Sequence, residues 1–342
     1  MEKDLIYKIN KYKTKYINLK NQFGGDVKTY IDELSYDTMN LIVSRPFLLI
    51  GWKQYDEFVS KVKDFGIEIK DITLVNDWAQ DFIKSIYIEN SDINFIINIC
   101  NIYEKISSPK IKEFLSSLYP KLKIITNDIR CTTIREANNF NLQKGGNYII
   151  LPNEINNKKI ITMKSIEDTT KAFCEMSNNI CLQIYLPNFN INSDYFGTVF
   201  HIDEILCLIP IGLGIDDYEV WFYDPLCDDF KYQTELKTIQ ENNKTILHKY
   251  FNVDKIKYFP LKFSNTGYII SPPLFNRIIL RNNNQFRIIF PDQSAEIKAL
   301  IDTRLEEIKT TFNHIIYDYI DTTELHNMNG NIHCGFKNLP IL

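Results

Sequence analysis

Several signatures are missing from this 342-residue sequence, and each absence closes off a class of protein. Its seven cysteines, at positions 100, 131, 174, 181, 207, 227 and 334, include no C-x-x-C pair, and their number is odd. Neither a zinc knuckle nor a disulfide framework is suggested, so reduced thiols in a cytosol-like compartment are expected. No run of about 18 apolar residues offers a membrane span. The first residues hold no long apolar stretch, so no secretory signal is expected. Positive charge is not in excess. A formal net charge of −4 gives nucleic acid no electrostatic claim as the main partner. Gly/Ser-rich and Pro-rich linkers are absent too, which favours one large domain over several small ones.

What is present is an ordinary soluble composition, 44% hydrophobic and 24% charged, in a chain long enough for a sizeable core. Residues 1–25 stand apart. Leu5, Ile9, Tyr12, Tyr16 and Leu19 recur at helical spacing among Lys3, Lys8, Lys11, Lys13, Lys15 and Lys20, and Gly24-Gly25 closes the run. This predicts an amphipathic helix that packs on its own domain or on a partner helix. A basic membrane-surface helix is a weaker alternative, because the apolar face is rich in Tyr.

From about residue 40 to 342 short apolar runs predict a single α/β domain. Strands are expected at Leu41–Val43, Ile67–Val75, Phe82–Ile88, Leu122–Thr126, Tyr148–Leu151 and Ile160–Met163. Further strands are expected at Cys181–Leu186, Ile205–Ile209, Val220–Tyr223, Lys255–Phe259, Phe275–Leu280, Phe286–Phe290 and Ile315–Ile320. Tyr55–Phe65, Ile111–Leu118, Ser165–Met176, Thr234–Phe251 and Ser294–Thr311 predict helices. The excess of strands over helices fits a recurring strand–strand–helix–strand unit better than strict β/α alternation.

Four islands interrupt or end these strands, where a loop could present side chains. They are Asn76-Asp77-Trp78-Ala79-Gln80-Asp81, Gly145-Gly146-Asn147, His201-Ile202-Asp203-Glu204 and Gly330-Asn331-Ile332-His333-Cys334-Gly335. Singly, each has a bland explanation: a packing Trp beside a turn carboxylate, a glycine turn, a satisfied His–Asp pair on one strand face, an inert buried thiol. His-x-Asp could also contribute to a metal site, but no second His or Cys cluster supplies the missing ligands.

Together and in this order, the islands resemble the catalytic domain of peptidylarginine deiminases, of the guanidine-modifying superfamily. The Gly330–Cys334 motif is also similar to the closing motif of agmatine deiminases, while Gln80 and Glu204 tilt the likeness towards the peptidylarginine branch. The resemblance implies a pentein β/α-propeller of five ββαβ units around a pseudo-fivefold axis. It implies that Asp81 and Asp203 grip a guanidinium through paired, charge-assisted hydrogen bonds. Cys334 would attack the central carbon as a thiolate, favoured by the substrate cation or by the adjacent His333. His201 would protonate departing ammonia and then activate water. Trp78, Gln80, Gly146 and Asn147 would contact substrate, Trp78 offering its face to the methylene stem.

The likeness has gaps. Phe82 and Ile149 stand where the calcium-activated members carry acidic ligands, and neither side chain offers the oxygen that calcium needs. No cofactor is therefore expected. The substrate is an arginine-containing protein or a small guanidine such as agmatine or arginine. A non-catalytic pentein serving as a binding or virion module is a second class, and an unrelated Cys–His amide hydrolase a third. Residues 1–25 also resemble Lys/Tyr-rich leaders, closed by Gly-Gly, on some proteins of giant DNA viruses, which makes virion association an alternative to a cytoplasmic location.

Overall fold

Isoleucine-rich runs too short for helices are the raw material of this fold, and they assemble into five separate sheets. The computed structural model describes residues 29–30, 34, 37–44, 51–72, 83–89, 92–99, 109, 112–120, 123–128, 148–152, 159–163, 180–187, 201–214, 216–265, 268–327 and 331–340. The helix expected over 1–25, the helix expected over 165–176, and Trp78, Gln80, Asp81, Phe82, Gly146 and Asn147 lie outside the described residues.

The strands, in chain order, are β1 (Thr29–Tyr30), β2 (Thr38–Ser44), β3 (Glu68–Ile72), β4 (Ile83–Glu89), β5 (Asp92–Ile99), β6 (Lys123–Asp128), β7 (Tyr148–Ile150) and β8 (Lys159–Met163). They continue with β9 (Ile180–Ile184), β10 (Leu206–Pro210), β11 (Tyr218–Cys227), β12 (Ile256–Phe263), β13 (Ile278–Asn282), β14 (Gln285–Pro291), β15 (Ile315–Ile320) and β16 (Phe336–Pro340). The helices are α1 (Tyr55–Asp64), α2 (Phe230–Leu247), α3 (Ala295–Thr311), α4 (Thr323–His326) and the single turn α5 (Ile332–Gly335), with residues 112–118 also helical.

The sheets are ordered β1-β4-β5-β6, β7-β8-β9, β10-β11-β12, β13-β14-β15 and β16-β2-β3. Each contains an antiparallel pair followed by a parallel one, as in β10/β11 then β11/β12, or β16/β2 then β2/β3. A parallel partner cannot be reached by a tight turn, so a crossover is required. Helices supply it: α1 lies between β2 and β3, α2 between β11 and β12, and α3 between β14 and β15. The last sheet closes the two ends of the chain on each other, since β16 pairs with β2 from Phe336↔Val43 onward.

Burial follows from covered faces. Every residue of β10 is buried, as expected of a strand packed on both sides. Trp221, Phe222 and Tyr223 of β11 form the centre of the larger apolar cluster, and Leu236 and Leu247 of α2 close over it. α2 also buries Gln240 and Asn243, whose amide N–H groups donate to backbone, that of Gln240 also to Asp224 Oδ1 at 3.1 Å. Asn243 accepts from Tyr185 N (2.7 Å) and donates to Tyr185 O (2.8 Å), while Gln240 donates to Tyr223 O (2.7 Å). These bonds dock α2 on the ends of β9 and β11 without leaving buried amide donors unpaired.

Two of the shifts in element bounds have a local cause. The helix expected from Thr234 begins earlier, at Phe230, because Asp229 caps it by accepting from Lys231 N and Tyr232 N. The strand expected from Phe275 begins only at Ile278, because Asn276 N donates to Pro273 O in a turn. The second shift concerns the site, since it fixes where the loop of Asn276 enters its sheet.

Candidate active site

Three loops enter three different sheets at the same kind of place. Cys334 stands two residues before β16, Asn276 two before β13, and Asp203 three before β10, each the strand that opens the antiparallel pair of its sheet. Loops at this position are held by the following strand and set their side chains just beyond its end.

The nucleophile candidate sits on α5. Asn331 caps this turn, its Oδ1 accepting from Ile332 N at 2.8 Å and its backbone oxygen accepting from Gly335 N at 3.1 Å. Residues 331 to 336 are all buried, and Cys334 is 5% exposed. Asn276, wholly buried, reaches the turn with both ends of its amide. Its Nδ2 donates to Cys334 Sγ at 3.4 Å, and its Oδ1 accepts from His333 N at 2.9 Å. The amide orientation is fixed by this pair, because only one assignment satisfies both contacts.

Asp203 is 1% exposed. Its Oδ2 accepts from His333 Nδ1 at 2.6 Å, a short, buried, charge-assisted contact. Its Oδ1 is buried and has no hydrogen-bond partner among the described residues. His201 Nδ1 lies 4.0 Å from that oxygen, too far for a hydrogen bond. The bland reading of His201 and Asp203 as a pair on one strand face does not hold. His201 is extended, but Ile202–Glu204 winds into a 3-10 turn, with Ile205 N donating to Ile202 O at 3.0 Å. Winding places Ile202 in the core and turns Asp203 towards His333.

A second cysteine lies close by and differs in kind. Cys207 on β10 is fully buried, and burial pushes its thiol up to about 12; Arg277 opposes that shift and Asp203 adds to it. Such a thiol is inert at neutral pH. Arg277 is itself buried at 3% exposure and donates from Nη2 to Leu208 O at 3.1 Å. It ties the start of β13 to β10, and so the loop of Asn276 to the loop of Asp203.

Of the site residues read from the sequence, His201, Asp203 and Cys334 are therefore described, and His333 and Asn276 join Asp203 to Cys334. Asp81, Trp78, Gln80, Gly146 and Asn147 fall outside the described residues. Asn276 had no signal in the sequence, where it falls inside the strand expected over Phe275–Leu280. His333 was visible only as a neighbour of the thiol. Among the described residues no group of three or more His, Cys, Asp or Glu side chains is placed to hold a metal, and no helix is long and apolar enough to cross a membrane.

No family model matches the chain, and no curated protein sequence matches it. Solved structures do. An agmatine deiminase of C. jejuni superposes with a TM-score of 0.58 at 16% identity, covering 94% of this chain and 98% of its own. An agmatine deiminase of Enterococcus faecalis gives 0.54 at 13%, covering 91% and 96%. The N-terminal domain of a cyanobacterial arginine dihydrolase gives 0.51 at 9%, covering 88% and 98%. At these identities the likeness establishes architecture: this chain has the pentein-type α/β fold of those deiminases.

Proposed function

We propose that the chain is a cysteine-dependent deiminase that hydrolyses a guanidinium group to a ureido group and ammonia. The observation that carries this reading is the buried chain of hydrogen bonds from Asp203 through His333 and Asn276 to Cys334, ending in a carboxylate oxygen with no partner among the described residues. A guanidinium offers fixed N–H donors for such an oxygen and an electrophilic carbon for the sulfur.

In this reading the five sheets form a propeller of ββαβ units round a pseudo-fivefold axis. Asp81, two residues before β4 in sequence, supplies the second carboxylate. Cys334 attacks the guanidinium carbon, forming a C–S bond. His201 gives its proton to one amino group, the C–N bond breaks, and ammonia leaves a covalent thiouronium. Water then loses a proton to His201 and adds to the same carbon. Breakage of the C–S bond releases the ureido product and returns the thiolate. Trp78 lies along the methylene stem, and Gln80, Gly146 and Asn147 contact substrate. No metal enters these steps, because Phe82 and Ile149 replace the acidic ligands that calcium would need.

Peptidyl-arginine is the preferred substrate on the strength of Gln80 and Glu204. A second reading, agmatine or free arginine, is favoured by the near full-length superposition on agmatine deiminases. The chain works in a reducing compartment, with residues 1–25 available to a partner helix. Ammonia and ureido release from an arginine peptide, agmatine and arginine tests the proposal. Release from none of the three, by folded protein with a reduced Cys334, would refute it.

A further inference from the structure

His333 has a role beyond its place beside the thiol, and it rests on the deiminase reading above. A carboxylate at the end of a side chain can turn, presenting either oxygen to a ligand. Here one oxygen of Asp203 is engaged by the His333 imidazole at 2.6 Å in a buried contact. An ionised carboxylate can only accept, so the proton lies on Nδ1 and points at Asp203. The other oxygen, Oδ1, is buried without a partner among the described residues, a costly state for an acceptor unless a donor arrives.

The imidazole is itself fixed. His333 N donates to Asn276 Oδ1 at 2.9 Å, and the same Asn276 donates to the sulfur of the next residue, Cys334, at 3.4 Å. The carboxylate that must hold the guanidinium and the sulfur that must attack it are thus spaced by one short frame of two adjacent residues and one amide. His201 stays outside this frame, its Nδ1 4.0 Å from Asp203 Oδ1. The two histidines divide the labour: His201 moves protons, and His333 sets the carboxylate.

We infer that His333 is a positioning residue, which locks Asp203 so that Oδ1 stays presented to a guanidinium N–H. The test measures binding apart from turnover. In Cys334→Ser protein, the affinity for agmatine and for an arginine peptide is measured by calorimetry, alone and with His333→Leu or His333→Asn added. Asn can place its amide N–H where Nδ1–H stood. His333→Leu should weaken binding by about tenfold or more, and His333→Asn should stay within about threefold of the parent. With Cys334 present, His333→Leu should raise KM more than it lowers kcat.

A spectrum covers the case of a variant that does not fold. The wild-type protein should show a downfield Nδ1–H proton resonance from His333, in a histidine-labelled sample. Its absence overturns the inference whatever the variants do. Equal affinity in parent and His333→Leu overturns the inference alone and leaves the deiminase reading standing. A parent that binds no guanidine overturns both.

Discussion

Cys334 and Cys207 are both buried thiols within one neighbourhood, and their surroundings assign them opposite fates. Cys207 lies on a fully covered strand with its thiol pushed up to about 12, so almost none is thiolate at neutral pH. Cys334 receives an amide hydrogen bond on its sulfur and sits on a loop turn. A chloroacetamidine probe at neutral pH should therefore label Cys334 and spare Cys207, as read by peptide mapping; equal labelling of the two would contradict the assignment. Asn276 is the second residue at stake. Asn276→Ala removes a donor to the sulfur and an acceptor for His333 N, so kcat should fall by roughly 10- to 100-fold. Steady-state kinetics with unchanged circular dichroism would check it. Cys334, His201 and Asp203 could be singled out in the sequence only through the order of the four islands, since each island alone has a bland explanation. Asn276 could not, since it falls inside the apolar run read as the strand Phe275–Leu280, and its contact with Cys334 spans 58 positions. Nor could a sequence reveal that His333 faces Asp203, because direction comes from the winding of Ile202–Glu204.

Elements were legible where an apolar run had clear ends. Ile315–Ile320 was read with its exact bounds, and β10 within one residue, because each is short and bounded by polar turns. β5 was missed although its core is Ile-rich, since a brief apolar run with interspersed Asn has no decisive period. β16 was missed for another reason: Phe336-Lys-Asn-Leu-Pro has little β-branching and ends in Pro, so it is a strand through its pairing with β2. Between elements, ion pairs at sheet–helix junctions make testable demands. Arg304 of α3 grips Glu219 of β11 through Nε and Nη2, and Trp221 Nε1 donates to the same carboxylate at 3.0 Å. Glu219 is 2% exposed, so Arg304→Ala strands a buried charge and should cost roughly 3 kcal/mol in urea unfolding. Joining it to Glu219→Gln should recover most of that loss. His326 of α4 gives a pH effect. Burial lowers its pKa below the ordinary 6.5, outweighing the Ile269 carbonyl 3.2 Å from Nε2. A depressed histidine contributes stability that is fully present above about pH 6.5 and is lost as pH falls through the folded value. Melting temperature should thus drop on acidification from about pH 7.5 to about pH 5 in the wild type, and drop less in His326→Gln. Parallel curves would show that other groups carry the acid sensitivity.

At the scale of the molecule, five sheets with one internal plan make the fold a frame into which loops deliver single residues. Such a frame does not itself need an ion, but the loops between strand ends need something to hold them. The calcium-activated deiminases that the motif order resembles use an acidic cluster there, whereas this chain has Phe82 and Ile149. Ile149 lies in β7, half-buried and packed against the larger apolar cluster, opposite Ile161 of β8 in the antiparallel register. An apolar side chain so placed contributes about 1 kcal/mol through partial burial. That contribution is present without any ion, whereas an acidic residue there would have to be desolvated or neutralised by one. If the apolar residues at these two positions take the place of the ion, activity should be the same in excess chelator and in millimolar calcium on a single substrate. Ile149→Asp separates this account from a mere absence of ligands. It should lower stability and activity together, and calcium should not restore them while Phe82 remains. A large rise in wild-type activity with calcium would mean that ligands come from elsewhere in the chain, and the substitution argument would then fail.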